Sequence, residues 1–298
     1  MNRFTLDNAK AGALLPRREQ NSNKGTFGKV LLICGSRNML GCAVLSAKGA
    51  LRSGAGLVTS AFPDCLYNPM LSKLTEPVFM PLKTSADGTF SEEDICILLK
   101  KAEESDAVLC GCGIGLSNGT KLLVQSLISE SETPLILDAD ALTLIAKQPY
   151  LLKNAKCPVL LTPHPGEMSR LCRKSIADIE AAREQTCFDF VKEYNVNLLL
   201  KGHRTLVLSA DCNNLYENTV GNSGLAKGGS GDLLGGIIAG LTPSFNGDLF
   251  KSACVGAYLH GLTSEILCDE MTEYSMLPSD CADAIPRAFK TVLSAFEN

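Results

Sequence analysis

Short apolar runs alternate with helix-patterned segments from residue 29 to the end of the chain. The runs are continuous in hydrophobicity, which is typical of parallel strands that are buried on both faces. Most are followed by a polar turn and then by apolar positions at helical spacing. We predict strands at residues 29–34, 57–60, 76–82, 107–110, 134–138, 158–162, 197–201 and 205–208. We predict helices at residues 42–52, 248–268 and 279–296. We also predict a helix that starts after Ser91, a helix that follows residues 111–115 and ends at about residue 129, and one long helix after Ser175.

The alternation of strands and helices predicts the fold class. Such chains form parallel sheets, because each helix returns the chain across the sheet in a right-handed crossover. No linker rich in proline, glycine or serine interrupts the order. We therefore predict one α/β domain over residues 1–298, doubly wound, with a mostly parallel central sheet and helices on both faces. Residues 1–27 are polar and mixed, and we expect only an approach segment there.

Clusters of glycine and polar residues follow several of the predicted strands. In a doubly wound sheet, ligands bind beyond the carboxyl ends of the strands. We therefore expect the clusters to form one large site. They lie at residues 35–41, 111–115, 138–140, 164–167 and 201–204.

A glycine-rich stretch at residues 221–240 stands apart from this pattern. Its first half has no strand or helix pattern, whereas its second half has apolar residues at helical spacing. A glycine turn that leads into a helix presents unpaired N–H groups and favours anions, phosphate above all. Asp232 lies at this anion site, either as a helix N-cap or as a base that takes a proton from a hydroxyl. Ser230 could provide the cap equally well.

Several cluster residues have both a chemical and a structural interpretation. Asp138 and Asp140 could bind a divalent cation, but a helix N-cap is favoured for at least one of them. The glycines of 111–115 resemble a dinucleotide-binding turn without its spacing, so a tight turn is at least as well supported. His164 lies between two prolines, which predicts an extended, rigidly displayed side chain and favours a site over a surface turn.

Two cations lie beside Gly202. Lys201 and Arg204 suit a diphosphate, and solvated surface charge is the alternative.

Composition excludes several classes of function. The net charge is −4 and no basic run is present, which argues against nucleic acid as a ligand. No apolar run approaches the length that spans a bilayer, and the first residues lack the apolar core of a signal peptide. The thirteen cysteines lack metal-ligand spacing, so we expect free thiols in a reducing cytoplasm.

In combination, the motifs resemble the ribokinase-like family of ADP/ATP-dependent (S)-NAD(P)H-hydrate dehydratases. The resemblance extends from residue 24 to the last helix. It is carried by residues 24–30, Gly35 and Ser36 with Gly41, 51–58, 138–142, 162–167, Lys201 and Gly202 with Thr205, and 228–232.

The resemblance implies a repair enzyme for NADH or NADPH whose nicotinamide ring has been hydrated. The nucleotide would phosphorylate the ring hydroxyl of the S epimer, and phosphate would then leave and restore the reduced dinucleotide. The other product would be AMP from ADP, or ADP from ATP. Phosphate is a good leaving group and hydroxide a poor one, so the two-step route is chemically reasonable.

The resemblance also assigns roles to residues. Asp232 would activate the hydroxyl, with Ser230 as the expected cap, and a helix N-terminus would keep Asp232 ionised and weakly basic. The hydrated dinucleotide would contact Ala43, Gly115, His164 and Asp232. The nucleotide would contact Lys201, Gly202, His203, Arg204, Thr205, Gly229, Ser230 and Gly231.

The family further implies magnesium with the nucleotide and a homo-oligomer, often a tetramer. Two departures stand out. Lys227 lies where many relatives have threonine, and we expect no epimerase domain, because about 27 residues precede the first predicted strand. One alternative is a small-molecule kinase of the same fold, acting on a hydroxymethylpyrimidine, a thiazole or a sugar alcohol. Another is a non-catalytic nucleotide-binding protein.

Overall fold

The structure is a computed structural model, and it describes residues 1–297. Ten strands form one sheet in the order β1-β10-β9-β8-β7-β6-β5-β2-β3-β4. Among the described strands, only β9 runs antiparallel to its neighbours, which confirms a mostly parallel sheet. The strands are β1 (Asn2–Phe4), β2 (Lys29–Ile33), β3 (Leu57–Pro63), β4 (Val78–Leu82), β5 (Ala107–Cys110), β6 (Leu135–Leu137), β7 (Val159–Leu161), β8 (Asn197–Leu200), β9 (Leu206–Leu208) and β10 (Asn214–Glu217).

Helices cover both faces of the sheet. Successive strand side chains point to opposite faces, so Val30 and Leu32 belong to one core while Leu31 and Ile33 belong to the other. No helix in residues 1–297 combines the length and hydropathy that crossing a membrane requires. The helices are α1 (Asn8–Leu14), α2 (Leu40–Arg52), α3 (Tyr67–Leu71), α4 (Ile95–Glu103), α5 (Asn118–Glu130), α6 (Asp140–Ile145), α7 (Pro165–Cys172), α8 (Ile176–Ala181), α9 (Arg183–Tyr194), α10 (Ser230–Leu241), α11 (Leu249–Leu267) and α12 (Pro278–Glu297).

The two cores complete a three-layer arrangement, as predicted. Buried residues of α1, α2, α10, α11 and α12 form one core with one face of the sheet. Buried residues of α4 to α9 form the other.

Four expectations about secondary structure were wrong. Residues 1–27 contain β1, which pairs with β10, and α1, whose Gly12 lies against the backbone of Val292. The segment after Ser175 forms two helices, because Ala182 leaves the helical region at φ −142 and ψ 50. Helix α7 was missed, as was β10. Short strands at the edge of a sheet carry little hydrophobic pattern, and their pairing partners decide them.

The glycines in the second half of the 221–240 stretch bring α10 against α2. A Cβ on Gly236 would lie 2.2 Å from the carbonyl oxygen of Ser46, and one on Gly240 would lie 2.5 Å from that of Ala50. In the same way, a Cβ on Gly49 of α2 would lie 2.6 Å from the carbonyl oxygen of Leu233. The hydroxyl of Ser46 also donates to the backbone oxygen of Asp232 at 3.1 Å. The first turn of α10 is therefore held rigidly against α2.

Candidate functional site

The carboxyl ends of β8, β7, β6, β5 and β2 are adjacent along one edge of the sheet, because these strands are neighbours and parallel. A cavity of about 1070 Å³ opens at this edge. The loop of 218–223 and helix α11 form its far wall. Most of the sequence-predicted site residues line it: His164, Lys201, Gly202, His203, Arg204, Thr205, Gly229, Ser230, Gly231 and Asp232.

The glycine turn leads directly into α10. Gly229 is the N-cap residue, with φ 101 and ψ −19, a left-handed conformation that favours glycine. No side chain caps this helix, and the buried hydroxyl of Ser230 has no hydrogen-bond partner among the described residues. The expectation that Ser230 caps the helix was therefore wrong. The N–H of Ser230 donates to the carbonyl oxygen of Lys227 at 3.2 Å, which leaves the N–H groups of Gly231 and Asp232 in the first turn for an anion.

Asp232 lies in the first turn of α10 and faces the cavity. Burial of its carboxylate raises its pKa, and repulsion from Asp138 raises it further. Hydrogen bonds from the thiols of Cys42 and Cys112 and the charge of Lys201 oppose this shift only in part. Burial and repulsion from Asp138 act against the helix N-terminus, which by itself would keep Asp232 ionised and weakly basic. The protonation state of Asp232 near pH 7 stays a prediction.

Asp138, which is buried, and Lys201, which is half-buried, form an ion pair next to the glycine turn. Lys201 Nζ lies 2.7 Å from Asp138 Oδ1, with side-chain exposures of 18% and 2%. A Cβ on Gly231 would lie 3.2 Å from Lys201 Nζ, so a larger residue there would require the lysine to move slightly away from the turn. Burial lowers the pKa of Lys201, but Asp138 and Glu167 outweigh it and the pKa rises. Lys201 is thus a charged, half-buried group.

The N-cap hypothesis was wrong for both Asp138 and Asp140. Ala139, with φ 50, precedes α6 and no side chain caps this helix. Asp138 instead accepts from Lys201, and Asp140 Oδ2 accepts the N–H of Gly115 at 2.8 Å. The two acids at the end of β6 therefore bind Lys201 and the backbone of the loop after β5.

Arg204 differs from Lys201. Its φ is 59, and its Nε lies 3.2 Å from Glu217 Oε1 with 59% of its side chain exposed. Arg204 is an exposed cation with a partner at the rim of the cavity.

His164 is the N-cap of α7, in an extended backbone conformation with φ −81 and ψ 167. Its Nδ1 accepts the N–H of Gly166 at 3.0 Å, and Glu167 Oε2 accepts the N–H of His164 at 2.8 Å. Because Nδ1 accepts, the neutral ring carries its hydrogen on Nε2. Burial and then Lys201 lower the pKa of His164, so this neutral form is favoured. Pro165 and Glu167 were the sequence signals for this helix start.

Glu167 should make the stability of the protein depend on pH. Burial raises its pKa from 4.5 to about 7. The folded state therefore binds a proton more tightly than the unfolded state, and this stabilisation is lost as the pH rises from about 4.5 to about 7. Glutamine does not titrate, so Glu167→Gln should abolish this pH dependence, which amounts to a change on the order of 3 kcal/mol in the free energy of unfolding across this range. Urea unfolding at about pH 5 and about pH 8 measures it; equal pH slopes in both proteins would contradict the prediction.

Two predicted substrate contacts do not line the cavity. Ala43 is fully buried in α2, next to Cys42, whose thiol contacts Asp232. Gly115 has φ 82 and follows β5. The N–H of Gly115 donates to Asp140, so the structure does not bring Ala43 and Gly115 into the cavity with the other predicted residues. Their roles remain predictions.

The fold and the site define the ribokinase-like class of α/β proteins, in which a glycine turn and an acid meet at the carboxyl edge of a parallel sheet. The family model for NAD(P)H-hydrate dehydratase matches residues 30–287. The chain belongs to this family.

Relatives agree with this assignment. The chain is 36% identical over 294 residues to the bifunctional NAD(P)H-hydrate repair enzyme Nnr of Moorella thermoacetica, covering 98% of this chain and 54% of that protein. The chain thus spans about half the length of that relative. It is 32% identical over 279 residues to the ADP-dependent (S)-NAD(P)H-hydrate dehydratase of Bacillus subtilis, covering 93% of this chain and 95% of that protein.

Solved structures support the fold. The ADP/ATP-dependent NAD(P)H-hydrate dehydratase of Bacillus subtilis, co-crystallised with ATP and Mg²⁺, superposes with a TM-score of 0.82 at 30% identity, over 96% of this chain and 97% of that one. A hydroxyethylthiazole kinase of Pyrococcus horikoshii has a TM-score of 0.57 at 17% identity, which indicates the fold alone.

Proposed function

We propose that this protein catalyses the nucleotide-dependent dehydration of the S epimer of hydrated NADH or NADPH, releasing NAD(P)H. The observation that carries the proposal is Asp232, a half-buried acid with a raised pKa in the first turn of α10, at an anion-binding turn. A carboxylate at that position repels phosphate, so its presence needs a functional reason. The reason we propose is that it acts on the hydroxyl group that receives the phosphate. Membership of the dehydratase family supports this choice of substrate.

Asp232 would take the proton of the ring hydroxyl as the hydroxyl oxygen attacks the terminal phosphorus. The N–H groups around Gly229, Ser230 and Gly231 would hold the phosphoryl oxygens, and Lys201 below them would offset the developing charge. The carbon–oxygen bond would then break as the lone pair of the ring nitrogen displaces phosphate. Loss of a proton from the adjacent ring carbon completes the dihydropyridine.

The nucleotide would lie along Lys201, Gly202, His203, Arg204 and Thr205. The hydrated dinucleotide would contact Asp232 and would reach Ala43 and Gly115 outside the cavity and His164 within it. His164 would donate a hydrogen bond through Nε2, because its Nδ1 is engaged by Gly166.

Magnesium would arrive as part of the nucleotide substrate. Within residues 1–297 no three His, Cys, Asp or Glu side chains converge as a metal site, and Asp138 is paired with Lys201. Magnesium commonly binds through substrate phosphates and few protein ligands. Either ADP, releasing AMP, or ATP, releasing ADP, would be the donor. We further infer a cytoplasmic homotetramer, an assembly that light scattering of the purified protein would test.

Incubation with hydrated NADH and either ADP or ATP tests the proposal. We expect the near-ultraviolet absorbance of reduced nicotinamide to recover only with nucleotide. A stable phosphorylated product without recovery would indicate a small-molecule kinase. Nucleotide binding without consumption would indicate a non-catalytic protein.

A further inference from the structure

Arg183 is the first residue of α9, and it contacts the turn of residues 201–205 without lining the cavity. Its side chain is 15% exposed. A cation at the N-terminus of a helix is unfavourable, because the positive end of the helix dipole repels it. The stability of α9 therefore does not explain an arginine at this position, and its contacts with the turn do.

The guanidinium of Arg183 binds the end of β8. Its Nη2 donates to the carbonyl oxygen of Leu200 at 3.2 Å and to that of Lys201 at 3.3 Å. Successive carbonyls of a regular strand point in opposite directions, so two that converge on one nitrogen mark a bend in the chain. Nη1 donates to Glu180 Oε1 at 2.8 Å, which fixes the guanidinium from its other end. The bend after β8 is therefore held by a charged group whose own position is fixed.

Gly202 follows this bend and packs directly on the guanidinium. A Cβ there would lie 2.9 Å from Nη1 and 3.1 Å from Nη2 of Arg183. The φ of Gly202 is 146, a conformation that residues with a side chain rarely adopt. A side chain at this position would therefore strain the backbone and displace the arginine.

The contact with Arg183 also sets the direction of the N–H of Gly202. In a trans peptide the C=O and N–H groups point in opposite directions, and no described peptide bond is cis. The carbonyl of Lys201 points at Arg183, so the N–H of Gly202 points away from Arg183. Gly202 lines the cavity, whereas Arg183 does not. No group within residues 1–297 accepts this N–H, which leaves it for a ligand on the cavity side.

We propose that Arg183 is a positioning residue of the nucleotide site, which holds the peptide between Lys201 and Gly202 so that the N–H of Gly202 donates to a phosphate oxygen. The ligand is a nucleoside diphosphate or triphosphate, and in this respect the inference rests on the proposed function. Lys201 Nζ reaches the glycine turn, 3.2 Å from the Cβ position of Gly231, so this peptide and the turn belong to the same part of the cavity.

Calorimetric titration of the full chain with ADP, without the hydrated dinucleotide, tests this role. Arg183→Met should weaken ADP by about 10-fold, because the peptide is no longer held. Arg183→Lys keeps the charge but lacks the planar fork that binds Glu180 and both carbonyls at once, so it should also weaken ADP several-fold. Arg287→Met is the control: it removes an exposed guanidinium of α12 that pairs with Glu270 outside the cavity, and it should change no affinity.

The amide resonance of Gly202 provides a readout that a loss of stability would not move. In native protein labelled with ¹⁵N-glycine it should shift with ADP and with pyrophosphate, but not with adenosine. In Arg183→Met at saturating ADP this shift should be lost. If Arg183→Met does not fold, Arg183→Lys and the native resonance decide.

Native ADP affinity in either variant of Arg183 would overturn the inference, because charge alone, or no contact at all, would then account for the arginine. A Gly202 resonance that shifts with adenosine and not with pyrophosphate would also overturn it, since the contact would then be to the nucleoside. Either result together with normal absorbance recovery sinks this inference alone. The expected titrations without absorbance recovery would sink only the dehydratase proposal.

Discussion

Asp232→Asn should reduce turnover by about 10²–10⁴-fold or more, while ADP affinity stays unchanged or rises slightly. Asparagine keeps the shape of the side chain but cannot accept the hydroxyl proton. Its neutral amide also removes a negative charge from the anion site, so nucleotide binding should not suffer. Single-turnover rates with hydrated NADH measure the first effect, and calorimetry with ADP measures the second.

A matched control is Asp248→Asn, at the N-terminus of α11. Asp248 accepts the N–H of Lys251 at 3.0 Å and does not line the cavity. Asparagine caps a helix as well as aspartate does, so activity and stability should both be retained. Lost ADP affinity with normal turnover at saturation in Asp232→Asn would refute a role as base.

The pH dependence of activity should also reflect the ionisation of Asp232. Because burial and then Asp138 raise the pKa of Asp232, activity should fall on acidification at a pH above the ordinary range of an aspartate. Only the ionised carboxylate can accept the proton.

Lys201→Met should destabilise the fold by about 3–5 kcal/mol, the second large effect that we expect. The lysine is the cation nearest to Asp138, which is 1% exposed, so its removal leaves a buried carboxylate without compensation. Adding Asp138→Asn should restore most of the stability, because the second charge is removed as well. Nucleotide affinity should remain weak in the double variant. Urea unfolding and ADP titration separate the two effects.

Lys251→Met is the control for this experiment. Lys251 pairs with Asp248 at 3.0 Å, but both side chains are substantially exposed, at 54% and 36%, so little stability should be lost. If Lys201→Met is as stable as the native protein, the pair contributes nothing to the fold. If the double variant recovers ADP affinity, Lys201 does not serve the nucleotide.

Several features of the site left no trace in the sequence. His260 of α11 lines the cavity, and nothing in its spacing distinguishes it from a core histidine. The pairing of Asp138 with Lys201 joins residues that are 63 positions apart. Glu167 had a local signal, the capping box with His164, yet its burial and raised pKa depend on packing against Lys201 and Asp138.

The sequence by itself determined the parallel α/β sheet, the edge at which the clusters meet and the anion-binding turn before α10. Buried parallel strands, glycine turns and helix starts are local patterns, readable because each depends on neighbouring residues. Only the tertiary structure decided the chemistry of Asp232. Its pKa depends on burial and on Asp138 from another strand. Desolvation and charge proximity are properties of the packed molecule, so the glycine-rich stretch indicated an acid at an anion site, and only the fold showed that the pKa of this acid is raised.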